Sequence, residues 1–553
     1  MSLGNGKNEI TWSRMNLKEV ISELPYPITQ SAFEIANKSF FLEQYKKKMG
    51  YKLLHEDTEF TKVFYGRLYY NMDITMKMVS DFGLDPKMTK MSYGGFHPTM
   101  IENHVKLSII DRIKIMFSVI KSVYYVTNIN KITDNSFKMR NDKYRTDFNK
   151  NLKNLTDIEA LEYFDSLDEL TRNDVTLIIV AGLNYNYWEL RKLLKGIADI
   201  KNPDDIINQL VTGTNNIISA NQALELMRLA GYVKDNGLES ELEKKDDEIS
   251  DPVFKRMLNE FLYKFGHRGL YETCIESPRY YENPEAILKI IKGYVTEGMT
   301  SPQDVVSRQK KIREDAIEDI LNNKGLSFVK KQQFKQFLNN YTNFMRLREE
   351  NRYHVVMGIT LSRRHVLELG RRFAQRGILE EQKDIFYLTI PEIKKLLSRE
   401  KIDSKNIVDG RKADRKRNSR YVVPDFFVEK FKPEMVKDNV ATELKKVFTG
   451  YAASSGIVEG RARIINSPEE FGRFKAGEIL VAPATDPMWS TLFPIAKAVV
   501  TEMGGVLSHA SIVAREYGTP CVVNVQGIIA ALEDGDLIEV DGTNGNVKII
   551  TDR

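Results

Sequence analysis

The stretch from Thr501 to Pro520, TEMGGVLSHASIVAREYGTP, constrains this chain more than any other. The residues just before it, Ala498 to Thr501, are apolar and bounded by turn residues, and read as a buried strand. Gly504 and Gly505 supply a turn that tolerates positive φ and lets another group approach the backbone closely. Ser508 is a good N-cap, so a helix is expected over 508–517, closed by Gly518 with Pro520 just beyond. His509 then lies in the first turn of that helix, among unpaired N–H groups at the positive end of the helix dipole.

Such a place suits an imidazole that carries a phosphoryl group. The dipole keeps the ring neutral and nucleophilic, and it favours the anion once phosphate is attached. Each effect is worth about 0.3–2 kcal/mol. Taken alone, the same residues also describe a histidine that merely caps a helix, because a histidine at a helix start is a weak motif.

The whole run resembles the phosphohistidine, or swivelling, domain of the phosphoenolpyruvate-utilising enzymes. Thr501, Gly504, Gly505, Ser508, His509, Ala510, Arg515, Gly518 and Pro520 carry the likeness. The flanks Ile479–Pro483, Thr485-Asp486-Pro487, Leu492-Phe493 and Asp541–Gly545 extend it. The resemblance implies that His509 is a transient phosphohistidine, supported by Thr501, Gly504, Gly505, Ser508 and Arg515. Leu507 stands where the dikinases of this family carry threonine, so hydroxyl-based regulation next to the histidine is not expected. The Leu-Ser-His version resembles the rifampin phosphotransferase branch.

The 553 residues suffice for more than one domain with a sizeable core. A 42% hydrophobic and 28% charged composition is ordinary for a globular protein, and a net charge of +5 leans toward anionic partners without demanding nucleic acid. The two cysteines, Cys274 and Cys521, form neither a metal-ligand spacing nor a disulfide framework, which fits a cytoplasmic protein. No apolar run reaches transmembrane length, and residues 1–7 read as a polar leader without fold content.

Trp12 to Leu397 reads as predominantly helical, with three- and four-residue apolar spacing clearest over 286–295 and 355–373 and few strand signals. The charged run from Glu239 to Asp251 reads as a solvated helix face or loop. Arg411 to Arg420 holds six basic residues but no interleaved aromatics, which suits a flexible segment or one meeting substrate phosphates better than a nucleic-acid patch. A short helical signal covers 435–448. From Gly456 the texture changes to short strands and one prominent helix, an α/β unit of small-domain size. The expected architecture is a large, mostly α-helical substrate-binding domain over 8–420, a hinge over 421–450 and a small α/β swivelling domain over 451–553.

The larger part resembles the substrate-binding domain of rifampin phosphotransferases at several landmarks. These are Trp12 to Asn16 with Pro27 and Thr29, Gly266-His267-Arg268-Gly269, Ser277-Pro278-Arg279, Arg348-Glu349 with Arg352, and Asp384 to Leu388. Arg348 and Arg352 are four apart, so on a helix they share one face and could hold a phosphate from two sides. Glu349 lies close enough to orient a guanidinium or accept a hydroxyl proton. Members of this family commonly place a lysine where Arg352 stands, so a proton-transferring amine is lost here. Two solvated arginines on a charged helix remain the alternative. His267 and Arg268 line a substrate pocket or end a helix. His354 and His365 read as packing residues, and His55, His97 and His104 have no pattern that singles them out.

No glycine-rich phosphate loop and no phosphoenolpyruvate barrel are visible. The resemblance therefore implies an acceptor-binding and phosphohistidine-shuttle component, with no tightly bound cofactor and no metal of its own. Mg-ATP would sit on a separate ATP-grasp subunit, and a small-molecule hydroxyl would be the acceptor. A phosphoryl-driven condensing enzyme and a non-catalytic binding or carrier protein with a relic histidine are the alternatives. Nucleic acid and membrane are not expected partners.

Overall fold

The computed structural model describes residues 10–550 apart from 49–57, 82–109, 436–445 and shorter stretches, among them 18–20, 172–174, 299–301, 486–488 and 506–507. His55, His97, His104, Asp486, Pro487, Leu507, the leader over 1–7 and most of the helical signal at 435–448 lie outside the described residues. The described chain is mostly helical, followed by a C-terminal sheet region.

One helix of 48 residues, Phe328–Gln375, organises the helical body. Ser327 caps it, accepting a hydrogen bond from the Lys330 amide. Its apolar positions, among them Phe334, Tyr341, Met345 and Val356, are buried against helices Ile129–Phe148, Asp157–Thr171 and Thr176–Lys195. At one crossing Gly182 is obligatory: a Cβ there would sit 2.4 Å from the Phe344 ring. The helix runs unbroken past both His354 and His365, and both rings are packed.

His365 is fully buried, with Nε2 2.9 Å from the Ala160 carbonyl. Burial pulls its pKa down to about 4, against the opposing effect of that hydrogen bond. The native state thus resists a proton that the unfolded chain accepts near pH 6.5. This part of the stability is complete above that pH and drains away as pH falls toward 4, amounting to about 3 kcal/mol. Urea unfolding midpoints between pH 7 and 4 will show the loss, and His365→Gln will shrink it.

The helical reading of the body missed a four-stranded antiparallel sheet. β1 (Thr11–Ser13) lies between β3 (Arg67–Asn71) and β5 (Phe426–Val428), and β2 (Thr61–Phe64) pairs with β3. These strands are three to five residues long, too short to display a period. Trp12, Tyr69 and Phe427 cluster on the sheet. The expected hinge is also partly tied down: β4 (Tyr421–Val422) pairs with β6 (Glu434–Met435), and β5 belongs to the sheet. The described ends of the 435–448 signal are strands rather than helix, because pairing with distant partners overrides local propensity. The basic decade is neither flexible nor solvated throughout. Helix Ser404–Asn418 carries it, with Arg411 paired to Glu392, Lys412 to Asp384 and Arg417 to Asp414. The charged run at Glu239–Asp251 forms two short turns leading to Asp251, the cap of helix Pro252–Phe265.

The C-terminal region is an eight-stranded sheet in the order β7-β14-β13-β9-β10-β11-β12-β8. Its strands are β7 (Val447–Thr449), β8 (Tyr451–Ser454), β9 (Ile457–Ile464), β10 (Ile479–Ala482), β11 (Ala498–Thr501), β12 (Cys521–Val523), β13 (Leu537–Asp541) and β14 (Asn546–Ile549). β9 to β12 are parallel, and β10 and β11 are buried throughout, which explains their uninterrupted apolar sequences. β11, helix His509–Tyr517 and β12 make a βαβ unit, so the histidine follows the carboxyl end of a central strand.

This region sits on the helical body through a continuous apolar core. Leu226, Met227 and Tyr294 from one side join Phe493, Ile512 and Tyr517 from the other. Polar ties reinforce the seam. Thr212 Oγ1 donates to the Arg515 carbonyl at 2.6 Å, Thr214 Oγ1 to Glu516 at 2.9 Å, and Tyr517 Oη to the Ala220 carbonyl at 2.7 Å.

Candidate functional site

The turn before His509 is built as its glycines suggest. Gly504 has φ +136°, and a Cβ there would press on Ser508 Oγ and Val523. The Gly505 carbonyl accepts from the Ser508 amide at 2.9 Å and from Ser511 Oγ at 2.7 Å. Ser508 Oγ caps the Ser511 amide, and Gly518 ends the helix at φ +62°. Thr501 Oγ1 donates to the Met503 carbonyl at 2.6 Å, holding the strand exit. Arg515 Nε donates to Asn208 Oδ1 at 2.6 Å and so fastens the helix to the body.

His509 is 1% exposed, and its two nitrogens meet different parts of the chain. Nε2 lies 3.2 Å from Ser490 Oγ, in the turn Trp489–Thr491 of the same C-terminal region. Nδ1 lies 3.5 Å from Glu349 Oε2 on the long helix. Burial pushes the imidazole pKa down, Glu349 opposes that, and Arg352 and Arg268 add to it, so the ring is neutral. Burial pushes the Glu349 carboxyl up, but His509, Arg348 and Arg352 outweigh it and hold the group ionised, far below the usual range. At this distance Nδ1 makes no hydrogen bond, and the ionised carboxylate facing it favours the tautomer with the proton there and the lone pair on Nε2.

Around this pair the structure gathers the other predicted residues. Arg348 Nη1 donates to Glu349 Oε1 at 2.8 Å, and Ser219 Oγ donates to Oε2 at 2.7 Å. Arg352 Nε donates to Glu272 at 2.7 Å. Arg268, fully buried, pairs with Glu272 at 3.0 Å and donates to Ser219 at 3.2 Å. Glu272 is pulled down to about 2, burial being outweighed by Arg268 and Arg352. The guanidiniums of buried Arg268 and partly exposed Arg348 and Arg352 thus face two buried carboxylates, leaving a net positive centre beside His509. Arg352 Nη2 has no hydrogen-bond partner among the described residues.

His267 is fully buried, lies edge-on to Tyr144 and Tyr353, and neither ring nitrogen has a hydrogen-bond partner among the described residues. It stands just past the end of helix Pro252–Phe265, where the helix-ending reading expects it. Three residues went unnoticed in the sequence. Glu272 stands four residues after Arg268, Ser490 stands two residues before the Leu492-Phe493 landmark, and Ser219 lies in the first turn of a helix with no motif around it. Only the first had a legible signal, an acid at helical spacing from a basic landmark. Among the described residues no three His, Cys, Asp or Glu side chains form a metal-binding group, and no helix is long and apolar enough to cross a membrane.

Comparison with known proteins finds a match on each of the two parts of the chain that meet here. Residues 174–349, which carry Ser219, Arg268, Glu272 and Glu349, match the rifampicin phosphotransferase fourth domain. Residues 474–545, which carry Ser490 and His509, match the mobile domain of PEP-utilising enzymes. A rifampicin phosphotransferase of Bacillus cereus is 27% identical over 436 residues, covering 72% of this chain and 48% of that protein. An uncharacterized phosphotransferase of Bacillus subtilis is 29% identical, covering 58% of this chain and 39% of that protein. An uncharacterized protein of Mycobacterium tuberculosis is 31% identical, covering 55% and 32%. The chain thus spans half or less of the length of these relatives. With one match over the histidine-bearing region and another over the helices that face it, the chain is similar in both parts to the phosphoenolpyruvate-utilising enzymes, rifampicin phosphotransferases among them.

Proposed function

We propose that this chain is the acceptor-binding and phosphohistidine-carrying part of a dikinase-type phosphotransferase. His509 Nε2 takes a phosphoryl group from Mg-ATP held on an ATP-grasp unit and passes it to a small-molecule hydroxyl. The observation that carries this reading is the 3.5 Å approach of His509 to Glu349, inside a centre with excess positive charge. A phosphoryl group brings about two negative charges, which such a centre would compensate.

The ring is buried where it stands, so loading requires the C-terminal region to leave the body. The linker over 421–450 would allow that motion, with β5 tying its first part to β1 of the body. Ser490 travels with the histidine, whereas Glu349 meets it only on docking. A docked phosphohistidine therefore has its Nδ1 proton held by a carboxylate, and the ring departs as neutral imidazole rather than as imidazolate. The acceptor oxygen bonds to phosphorus as the Nε2–P bond breaks. The electron pair returns to Nε2, and the hydroxyl proton leaves on the phosphoryl group. Arg348 and Arg352 supply positioning and charge, the main demands of this chemistry.

The test is reconstitution with an ATP-grasp protein supplied in trans and Mg-ATP. Acid-labile phosphate is expected on His509, and added acceptor should discharge it. Absence of label with every such donor would favour the reading of a carrier protein with a relic histidine.

A further inference from the structure

The seam between helical body and C-terminal region encloses a cavity of about 660 Å³ apart from the His509 site. Its wall on the body side comes from residues 269–296 and its wall on the other side from 471–495, so neither part forms it alone. The size is that of a small-molecule pocket. Two of its lining residues are neighbours in sequence of the His509 site: Gly269 follows Arg268, and Leu492 follows the turn that bears Ser490.

The charge of this cavity is one-sided. Arg279, Lys289, Lys292 and Lys475 line it, and no aspartate or glutamate does. Lys292 pairs with Glu243, but Lys289 and Lys475 have no ion-pair partner among the described residues. Arg279 is 1% exposed and donates through Nη2 to the Cys274 carbonyl at 3.1 Å. Its Nε and Nη1 have no hydrogen-bond partner among the described residues. A buried guanidinium with unmet donors is costly unless an anion or water completes it. The C-terminal wall adds Phe471 and Phe474, both buried, as an apolar surface.

We propose that this interdomain cavity binds an organic anion, a phosphate or carboxylate group borne on an apolar body, and that its occupant holds the C-terminal region docked. The cationic rim comes from both sides, with Lys289 on the body and Lys475 opposite. The anion therefore bridges them. Because the cavity exists only in the docked arrangement, any occupant favours that arrangement by its whole differential affinity. Occupancy then biases His509 toward Glu349 and toward discharge.

The experiment uses the full chain and 1-naphthyl phosphate as probe, followed by fluorescence at constant ionic strength. The neutral arm is 1-naphthol, and inorganic phosphate tests the anionic group alone. Saturable binding of the naphthyl ester is expected, at least tenfold tighter than either control. Lys289→Glu and Lys475→Glu are each expected to weaken it tenfold or more, while Lys310→Glu, on an exposed helix face, leaves it unchanged. Both reversed lysines are exposed, so the fold survives their replacement. Equal affinity for the neutral arm, inorganic phosphate binding as tightly as the ester, or indifference to either reversal overturns the proposal. No donor is needed, so this result is independent of His509 labelling: a chain that labels but does not bind refutes the cavity alone.

Discussion

His509→Asn will abolish acid-labile phosphorylation and with it phosphoryl transfer, a loss of at least ~10⁴-fold, as expected when a covalent nucleophile is removed. The fold will survive. The imidazole is neutral and buried, so its removal strands no charge. Glu349 keeps Arg348 and Ser219 as partners. Helix His509–Tyr517 keeps its cap at Ser508 and its anchor at Asn208. Phosphate mapping after incubation with an ATP-grasp donor, beside circular dichroism and thermal melting, separates lost chemistry from lost structure. Residual label at wild-type levels would place the phosphate elsewhere and remove the basis of the proposed function.

Glu349→Gln will divide the two half-reactions. In the proposed function loading takes place away from the long helix, so it will persist, whereas discharge to an acceptor will fall by ~10²–10⁴, the usual range for a positioned proton-handling group. The amide can still accept from Ser219, but it cannot hold a proton on Nδ1 as an ionised carboxylate does. The sign of the pH dependence follows. In the wild type Glu349 raises the proton affinity of Nδ1, so discharge persists to higher pH. In the variant that proton is lost sooner, and discharge declines as pH rises. Single-turnover decay of preloaded protein, measured across pH, checks both statements. A variant with the wild-type profile would confine Glu349 to packing.

Much of the site was legible because its pieces are local. The turn of Gly504 and Gly505, the cap at Ser508 and the stop at Gly518 depend on neighbours a few residues away, and each occurs as expected. Arg348, Glu349 and Arg352 fall within one helical turn, so spacing alone placed them together. The short strands β1, β2, β3 and β5 were not legible, since a three-residue strand has no period and β5 joins β1 from the far end of the body. The bond from Arg515 to Asn208 was not legible either, because its partner lies 307 residues away in the sequence.

The sequence by itself determined that a histidine opens a helix after a glycine turn and that a basic pair with a carboxylate shares one turn of another helix, because such features follow from the geometry of a few consecutive residues. Only the tertiary structure decided that these two pieces meet, that Glu349 faces Nδ1 while Ser490 faces Nε2, and that Glu272 with Arg268 completes the charge around them. Those relations depend on how an apolar seam aligns the sheet region with the helices, a packing outcome shared among many side chains rather than a property of any one stretch.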